Sequence, residues 1–413
     1  DARDGDDVAN DPLPGGEIEV FGAFSDSGSI DAINAALDVY EASAGVEVTY
    51  TGSIDFTFEI DAGAAAGDTP DIAIFPQPVT MLDLADEGFL LPLAPDVVDA
   101  ADAAWPTDLN DIFSDADGVR YGVPVTFDMK SLVWYVPDRF AEIGESVPTT
   151  LTDFGALVDR TAAAGDTPLC VGIESGAATG WVFTDWVEDL VLREHGTAVY
   201  DDWVANRIPF DDERIVGSMQ GVLDLWAGER VFAASGTIEA TSFSDNGDPL
   251  VDGDCLMHRQ ADFFSAFFPA DTALGDASPG AVDVFMLPSD NGNPALVAAT
   301  GAASFDDRPE VDALLAHLGS AAFSDDVRRA AAESGSLRSF LSLADGHDPS
   351  LYTDIDRRIV ELAMGADSYR YDASDQMPAE VGAGTFWSVG TDIVSGATTV
   401  QDGATEIEAS WPG

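Results

Sequence analysis

The stretch EIEVFGAFSDSGSIDAINAALDVYEASAGVEVTY, residues 17–50, changes its hydrophobic period twice, and those changes set the fold class. Ile18, Val20 and Phe21 read as a short strand that ends in the polar turn Ser25-Asp26-Ser27-Gly28. Ser29 is placed to cap a helix on which Ile30, Ile33, Leu37 and Tyr40 form one stripe, and Gly45 stops it. Val46, Val48 and Tyr50 alternate as a second strand, which completes a βαβ unit. The pattern repeats with a helix near 58–66, the strand Ile72-Ala73-Ile74-Phe75, the stop Pro76-Gln77-Pro78 and a helix carrying Met81, Leu82 and Leu84 as far as Gly88. Strands alternating with helices at this spacing predict a mostly parallel sheet covered on both faces. Ligands of such sheets sit outside the carboxyl ends of the strands, so Phe24 to Asp26 and Gln77 are the first site candidates.

Further along, Tyr121 to Tyr135 is a long apolar stretch. Helices are expected near 153–164, 181–195, 212–228 and Pro309 to Leu318, with strands at Val284 to Leu287 and Leu296 to Ala299. Roughly the last sixty residues read as helical and carry the aromatic cluster Gly384-Thr385-Phe386-Trp387. Residues 1–16, acidic and rich in Gly and Pro, read as a flexible tether. There is no short repeat of the solenoid or propeller kind. No apolar run reaches the ~18 to 20 residues of a membrane-spanning helix.

With 413 residues, two lobes are expected, and 46% hydrophobic against 23% charged residues belongs to a folded chain. Seventy-six Asp and Glu against 17 Lys and Arg give a formal charge of −59, which repels phosphate backbones and anionic lipid, so neither nucleic acid nor a membrane surface is an expected partner. Lys130 is the single lysine and follows Met129, which excludes a phosphate-binding GxxxxGK[ST] loop. The four histidines are scattered, there is no GxSxG elbow, and 76 acids make coincidental carboxylate pairs inevitable. Asp115-Ala116-Asp117-Gly118 fails as a calcium loop because Phe113 and Pro124 stand at ligand positions, and it reads instead as an acidic turn. No catalytic residue, metal or cofactor is therefore expected. Cys170 and Cys255 should pair in an oxidising compartment, and would stay buried thiols in a reducing one.

Sugar capture needs flat aromatic faces against C–H surfaces, together with carboxylates, amides and cations that grip vicinal hydroxyls. Three stretches offer that mixture: Gly176 to Trp181 with Asp185 one turn on, His258-Arg259-Gln260, and Gly384 to Trp387. Lys130, set among apolar residues, reads equally as an ion pair bridging lobes or as a donor to a hydroxyl or carboxylate in a cleft.

The chain resembles the family 1 extracellular solute-binding proteins of ABC importers, the maltose-binding-protein-like group, and looks most like its α-glucoside-binding branch. The segments that carry the resemblance are FGAFSD at 21–26, PDIAIFPQP at 70–78, KSLVWY at 130–135, TPLCVGIESGAATGWVFTDWVEDLVLR at 167–193, IPFDDE at 208–213, CLMHRQADFFSAFFP at 255–269, FDDRPEV at 305–311 and YRYDASDQMPAEVGAGTFW at 369–387. The family implies an α/β, two-lobed periplasmic-binding-protein type II fold with a hinge and an interlobe ligand cleft. It places one lobe at 17–125 plus 298–342 and the other at 130–290 plus 352–413, with crossings near 125–130, 290–298 and 342–352. It also implies that Trp387 stacks a sugar ring, and that Phe24, Gln77, Lys130, Glu174, Trp181, Asp185, His258 and Arg259 face the cleft. The cysteine pair matches the branch, which supports an exported, oxidising location, and residues 1–16 look like the tether that follows a lipid anchor in such receptors. The partners implied are a small sugar and the membrane permease subunits of an importer, with the receptor itself a monomer.

Three functions follow in order: a receptor for an α-glucoside or related sugar, a receptor for a non-sugar solute such as a polyol or osmolyte, and a carbohydrate-active enzyme. The field of −59 charges destabilises the compact state unless salt screens it, which points to a saline habitat. The thermal midpoint is expected to rise as NaCl is raised from about 0.1 M to about 2 M, where the Debye length falls from ~10 Å to below ~3 Å. A midpoint indifferent to salt in calorimetry would contradict that reading.

Overall fold

A computed structural model describes residues 16–53, 55–334 and 340–412. Apart from Gly16, whose carbonyl accepts from the Glu47 amide, the tether expected over 1–16 lies outside the described residues.

The opening βαβ unit forms as its periodicity predicts. Strand β1 (Glu17–Gly22) lies parallel to β2 (Glu47–Gly52), with Ile18 opposite Val48 and Val20 opposite Tyr50. Helix α1 (Ser27–Ala44) crosses between them and buries Ile33 and Leu37. Its N-cap is Asp26 rather than Ser29. The Asp26 carboxylate accepts from the Ser29 amide at 2.9 Å and from the Ser29 hydroxyl at 2.6 Å, so the acceptor sits one turn earlier than expected. Gly45, with φ 74°, ends the helix in the left-handed conformation that glycine adopts without strain. Helix α2 (Phe56–Ala66), strand β3 (Ile72–Phe75) and helix α3 (Pro78–Asp86) continue the alternation, and β3 pairs parallel with β1.

Two sheets result. The first takes in β4 (Gly122–Met129), β10 (Pro294–Ser304) and β11 (Ser368–Tyr371) and runs β11-β10-β3-β1-β2, with β4 pairing on β10. The second is built from β5 (Leu132–Tyr135), β6 (Leu169–Cys170), β7 (Val231–Phe232), β8 (Met257–Arg259) and β9 (Asp283–Met286), in the order β7-β6-β8-β5-β9. Both are mixed rather than mostly parallel. Strand β10 returns from the second sheet into the first and so meets β3 and β4 antiparallel. Strand β11 (Ser368–Tyr371) lies in the stretch expected to be helical and grouped with the second lobe. It pairs parallel with β10 and extends the first sheet, with Tyr369 and Tyr371 buried on alternate positions. The chain passes from the first sheet to the second between β4 and β5 and returns between β9 and β10.

Each sheet has its own apolar core, Ile18, Val20, Ile33 and Val48 in one and Val133, Phe154, Phe183 and Trp186 in the other. A third core, with Phe75, Phe127, Trp134, Phe264 and Tyr371, runs between them. At ~1.5 to 3 kcal/mol for each fully buried large apolar side chain, these cores supply the main driving force for folding. No helix among the described residues is long and apolar enough to cross a membrane.

Cys170, at the end of β6, and Cys255, just before β8, form a disulfide with Cα atoms 5.4 Å apart and a sequence separation of 85. Closing a loop of that size restricts the unfolded chain by about 4 to 5 kcal/mol in the chain-entropy model. Replacing both cysteines by serine is expected to lower the stability measured by denaturant titration by up to about that amount. Unchanged stability would show that the bond constrains nothing in the unfolded chain.

Candidate functional site

The carboxyl ends of β1 and β3 open on the same side of the first sheet. Beyond β1, the Phe24 carbonyl accepts from the Tyr50 hydroxyl at 3.0 Å, and the half-buried Phe24 ring packs 5.8 Å from Phe340. Beyond β3, Gln77 is the N-cap of α3, and its Nε2 donates to Asp375 Oδ1 at 2.9 Å, a contact between residues 298 apart in sequence. This pair lies on the wall of a cavity of about 380 Å³ between α2 and α3 on one side and residues 374–383 on the other. Thr57, Asp61, Thr80 and Asp83 complete the near wall. Burial and neighbouring carboxylates push both Asp61 and Asp83 up.

The helix Trp181–His195 supplies the next residues. Its N-cap, Gly180, has φ 115°, and a Cβ there would lie 2.1 Å from the Trp387 carbonyl oxygen, so only glycine lets the two backbones touch. Thr391 Oγ1 fixes the same junction by donating to the Thr179 carbonyl at 3.2 Å. Trp387 follows a seven-residue π-helical turn, Glu380–Phe386, and its buried Nε1 has no hydrogen-bond partner. Trp181 is half-buried against Phe243 and Phe263, with ring centroids 5.2 and 6.0 Å away. Glu174 holds the preceding loop by accepting from the Gly176 amide at 2.8 Å.

Below Trp181 the same helix carries Asp185, Glu188, Asp189 and Arg193, all buried and at helical spacing for a single face. Lys130 Nζ donates to Asp185 Oδ1 at 3.1 Å and also bonds Asp372 Oδ2. Arg259 reaches Asp185 Oδ2 at 3.4 Å and Asp189 Oδ2 at 3.0 Å, and Arg193 Nε bonds Asp189 Oδ1 at 2.8 Å. Glu188 accepts the backbone amides of Ala373 and Ser374. Carboxylate oxygens of Asp185, Glu188 and Asp372 lie within 4.8 Å of one another, a spacing suited to a cation, and the Lys130 ammonium bonds two of the three.

Burial disfavours charge throughout this cluster. It pushes Asp128 and Asp185 up to about 6, and burial together with the Asp372 charge pushes Asp375 up to about 7. Glu188 is raised well above the usual carboxylate range by burial and by Asp372 and Asp185. Burial works against the Asp372 carboxylate as well, but Lys130 and the Ser374 hydroxyl outweigh it and hold that group low.

The structure thus brings Lys130, Asp185 and Arg259 into one ionic network, and sets Trp181 next to the turn that bears Trp387. Of the two open readings of Lys130, the ion pair is the one formed. His258 is 1% exposed; its Nδ1 contacts the Cys170 carbonyl at 2.9 Å, its ring packs on Phe264, and burial drives it down to about 4, so it is neutral at pH 7. Sequence reasoning missed Glu188, Asp189, Asp372 and Asp375. The acids at 185, 188 and 189 in an otherwise apolar helix were a usable signal, since acids there need buried partners. Nothing local marks Asp372 or Asp375.

A family model described as bacterial extracellular solute-binding protein matches residues 26–249. The chain is 38% identical over 397 residues to the osmoprotective compounds-binding protein GgtB of Synechocystis sp., covering 92% of this chain and 89% of that protein. It is 34% identical over 418 residues to the alpha-glucosides-binding periplasmic protein AglE of Rhizobium meliloti, covering 97% and 88%. Among solved structures, the bacterial solute receptor AcbH superposes with a TM-score of 0.79 at 18% identity over 96% of both chains. The apo form of RafE from Streptococcus pneumoniae gives 0.72 at 16% identity over 98% of both. At those identities the likeness is one of fold, a two-lobed mixed α/β architecture.

Carboxyls raised by burial keep protons in the folded chain that the unfolded chain, titrating near pH 4, has released. Their contribution is present below about pH 4 and lost as the pH rises through the folded values near 6 and 7. At constant high salt the thermal midpoint is therefore expected to fall between about pH 5 and about pH 8. A midpoint that climbs over that interval would contradict the protonated cluster.

Proposed function

The chain belongs to the bacterial extracellular solute-binding proteins, which work outside the cytoplasm and are not enzymes, and from that premise we propose that it captures an α-glucoside or related small sugar between two lobes and delivers it to an ABC permease. The observation that carries this reading is the cavity between α2–α3 and residues 374–383. It offers hydroxyls, an amide and carboxylates, with no Lys, Arg or His among its lining residues. Such a wall suits a neutral polyhydroxylated solute, because each sugar hydroxyl both donates and accepts. Trp181 and Trp387, both half-buried, are not among the residues that line this cavity, and in this reading they supply the aromatic faces against which a ring stacks as the lobes close.

In this reading the lobes are 17–125 plus 298–342 and 130–290 plus 352–413, with β11 lent to the first sheet. Phe24, Gln77, Glu174, Trp181 and Trp387 are the residues that meet solute. Lys130, Asp185, His258 and Arg259 stand behind them and fix the wall, since Asp185, His258 and Arg259 are each 1% exposed and bond protein partners through the Asp185 carboxylate, His258 Nδ1 and the Arg259 terminal nitrogens. A second reading, an osmoprotective solute, is favoured by the GgtB relationship, and the two differ in what the protein is loaded with rather than in how it works.

Thermal unfolding at high salt across sucrose, maltose, trehalose and a set of polyols tests the reading, because a solute that binds only the folded chain raises the midpoint. An upward shift with one sugar and no monosaccharide released afterwards is the expected result. No shift with any of them would remove the sugar. Trp387→Ala is expected to weaken binding of the active sugar by about 1 to 3 kcal/mol through lost stacking and burial. Unaltered affinity by calorimetry would take Trp387 out of the site.

A further inference from the structure

Gln77 and Asp375 stand on opposite sides of the cavity, one at the end of β3 and the other just beyond β11, and bond to each other across it. Among the described residues, Gln77 is the one side chain that donates to the Asp375 carboxylate. Behind Asp375 the arrangement is rigid. Its amide donates to Asp372 Oδ1 at 3.1 Å, the Ser374 hydroxyl donates to that same oxygen at 2.7 Å, and Lys130 bonds Asp372 Oδ2. The cations of the cluster are therefore committed to Asp372, Asp185 and Asp189, and Asp375 is left facing an amide. An amide donor beside a carboxylate acceptor is the pair of groups that a vicinal diol satisfies, accepting from one and donating to the other.

Resting on the receptor reading above, we propose that Asp375 is a specificity-determining residue of the solute site, and that entry of the solute replaces the Gln77–Asp375 hydrogen bond with bonds from both groups to solute hydroxyls. Two consequences follow from the surroundings. Asp61, Asp83 and Glu87 face Asp375 across the cavity, and Asp372 and Asp185 lie behind it with Lys130, so a solute that carries a carboxylate meets uncompensated negative charge and is rejected. Because burial and Asp372 push Asp375 up to about 7, a solute that needs the ionised form as acceptor binds less tightly as the pH falls through that value.

The test is calorimetric titration of the full chain, wild type and Asp375→Asn, with sucrose, maltose and trehalose at about pH 6 and about pH 8 in high salt. Wild type is expected to bind the active sugar more weakly at the lower pH. Asp375→Asn is expected to bind it roughly tenfold or more weakly at the higher pH, as for loss of a hydrogen bond to a charged acceptor, with the pH dependence gone. Gln77→Leu, which leaves the ionic cluster untouched, is a second variant should Asp375→Asn not fold, and is expected to weaken binding while keeping the pH dependence. A folded Asp375→Asn, or a Gln77→Leu, with wild-type affinity and wild-type pH dependence overturns the proposal while leaving the receptor reading standing. A wild type that binds none of the three sugars overturns the sugar reading itself and this inference with it.

Discussion

The buried ionic face of the helix Trp181–His195 is the constraint on which the rest of the arrangement depends. Segments that pass between the two sheets are fastened to it. The first crossing is held through Lys130 on Asp185 and through Ser131, whose hydroxyl donates to Asp189 at 2.9 Å. The second is held through Arg193, which donates to the Pro294 carbonyl at 3.1 Å, and through Ser131 Oγ, which accepts the Leu296 amide at 2.9 Å. The chain leaving β11 is held where Glu188 accepts the amides of Ala373 and Ser374. Replacing such a network with apolar residues is often neutral for stability, whereas removing one member strands a buried charge at a cost of about 3 to 5 kcal/mol. Its value is geometric: an apolar face would let the crossing segments slide, and directional bonds do not.

The composition of this face also explains why the cluster holds protons. Buried Asp185, Glu188, Asp189 and Asp372, with half-buried Asp375, outnumber half-buried Lys130 and buried Arg193 and Arg259. Five carboxylates cannot all ionise beside three cations in a poorly polarisable interior, so the ones without a direct cation partner are neutralised first. Glu188, bonded to amides, and Asp375, bonded to an amide, are those two, and both are raised. Asp372, bonded by Lys130, stays low. The chain's acidity is thus not confined to a solvated shell; part of it is folded into the joint between the sheets.

How much of this the sequence disclosed depends on how far apart the interacting residues are. The βαβ unit of residues 17–50 is legible because its strands and helix interact within one local period, and most element positions followed from the same rule. Strand β11 was hidden because four residues, SYRY, in a largely helical stretch carry too little alternation to announce a strand, and pairing with β10 supplies what the local pattern lacks. Lys130 was undecidable for a different reason. Its partners lie 55 and 242 residues away, and no spacing rule reaches that far. Gln77 was identified from its place after β3, but Asp375, 298 residues on, has meaning only once the fold closes. His258 and Arg259 belong to a segment that resembles cleft-facing segments of the family, yet β8 is central in its sheet, so both side chains end in protein on either face.

The same helix joins the two halves of the problem. Trp181 stands at its first residue, Asp185 one turn later and Arg193 two turns beyond that, so Trp181 and the fastening of the crossing segments are parts of one rod about 22 Å long. A helix of that length, buried from Val182 to Arg193, does not bend to accommodate one end independently of the other. Gly180 adds the last element by letting the turn that bears Trp387 rest directly on the helix start. Trp181 and the turn that bears Trp387 are therefore packed on the same rod whose ionic face grips the crossing segments.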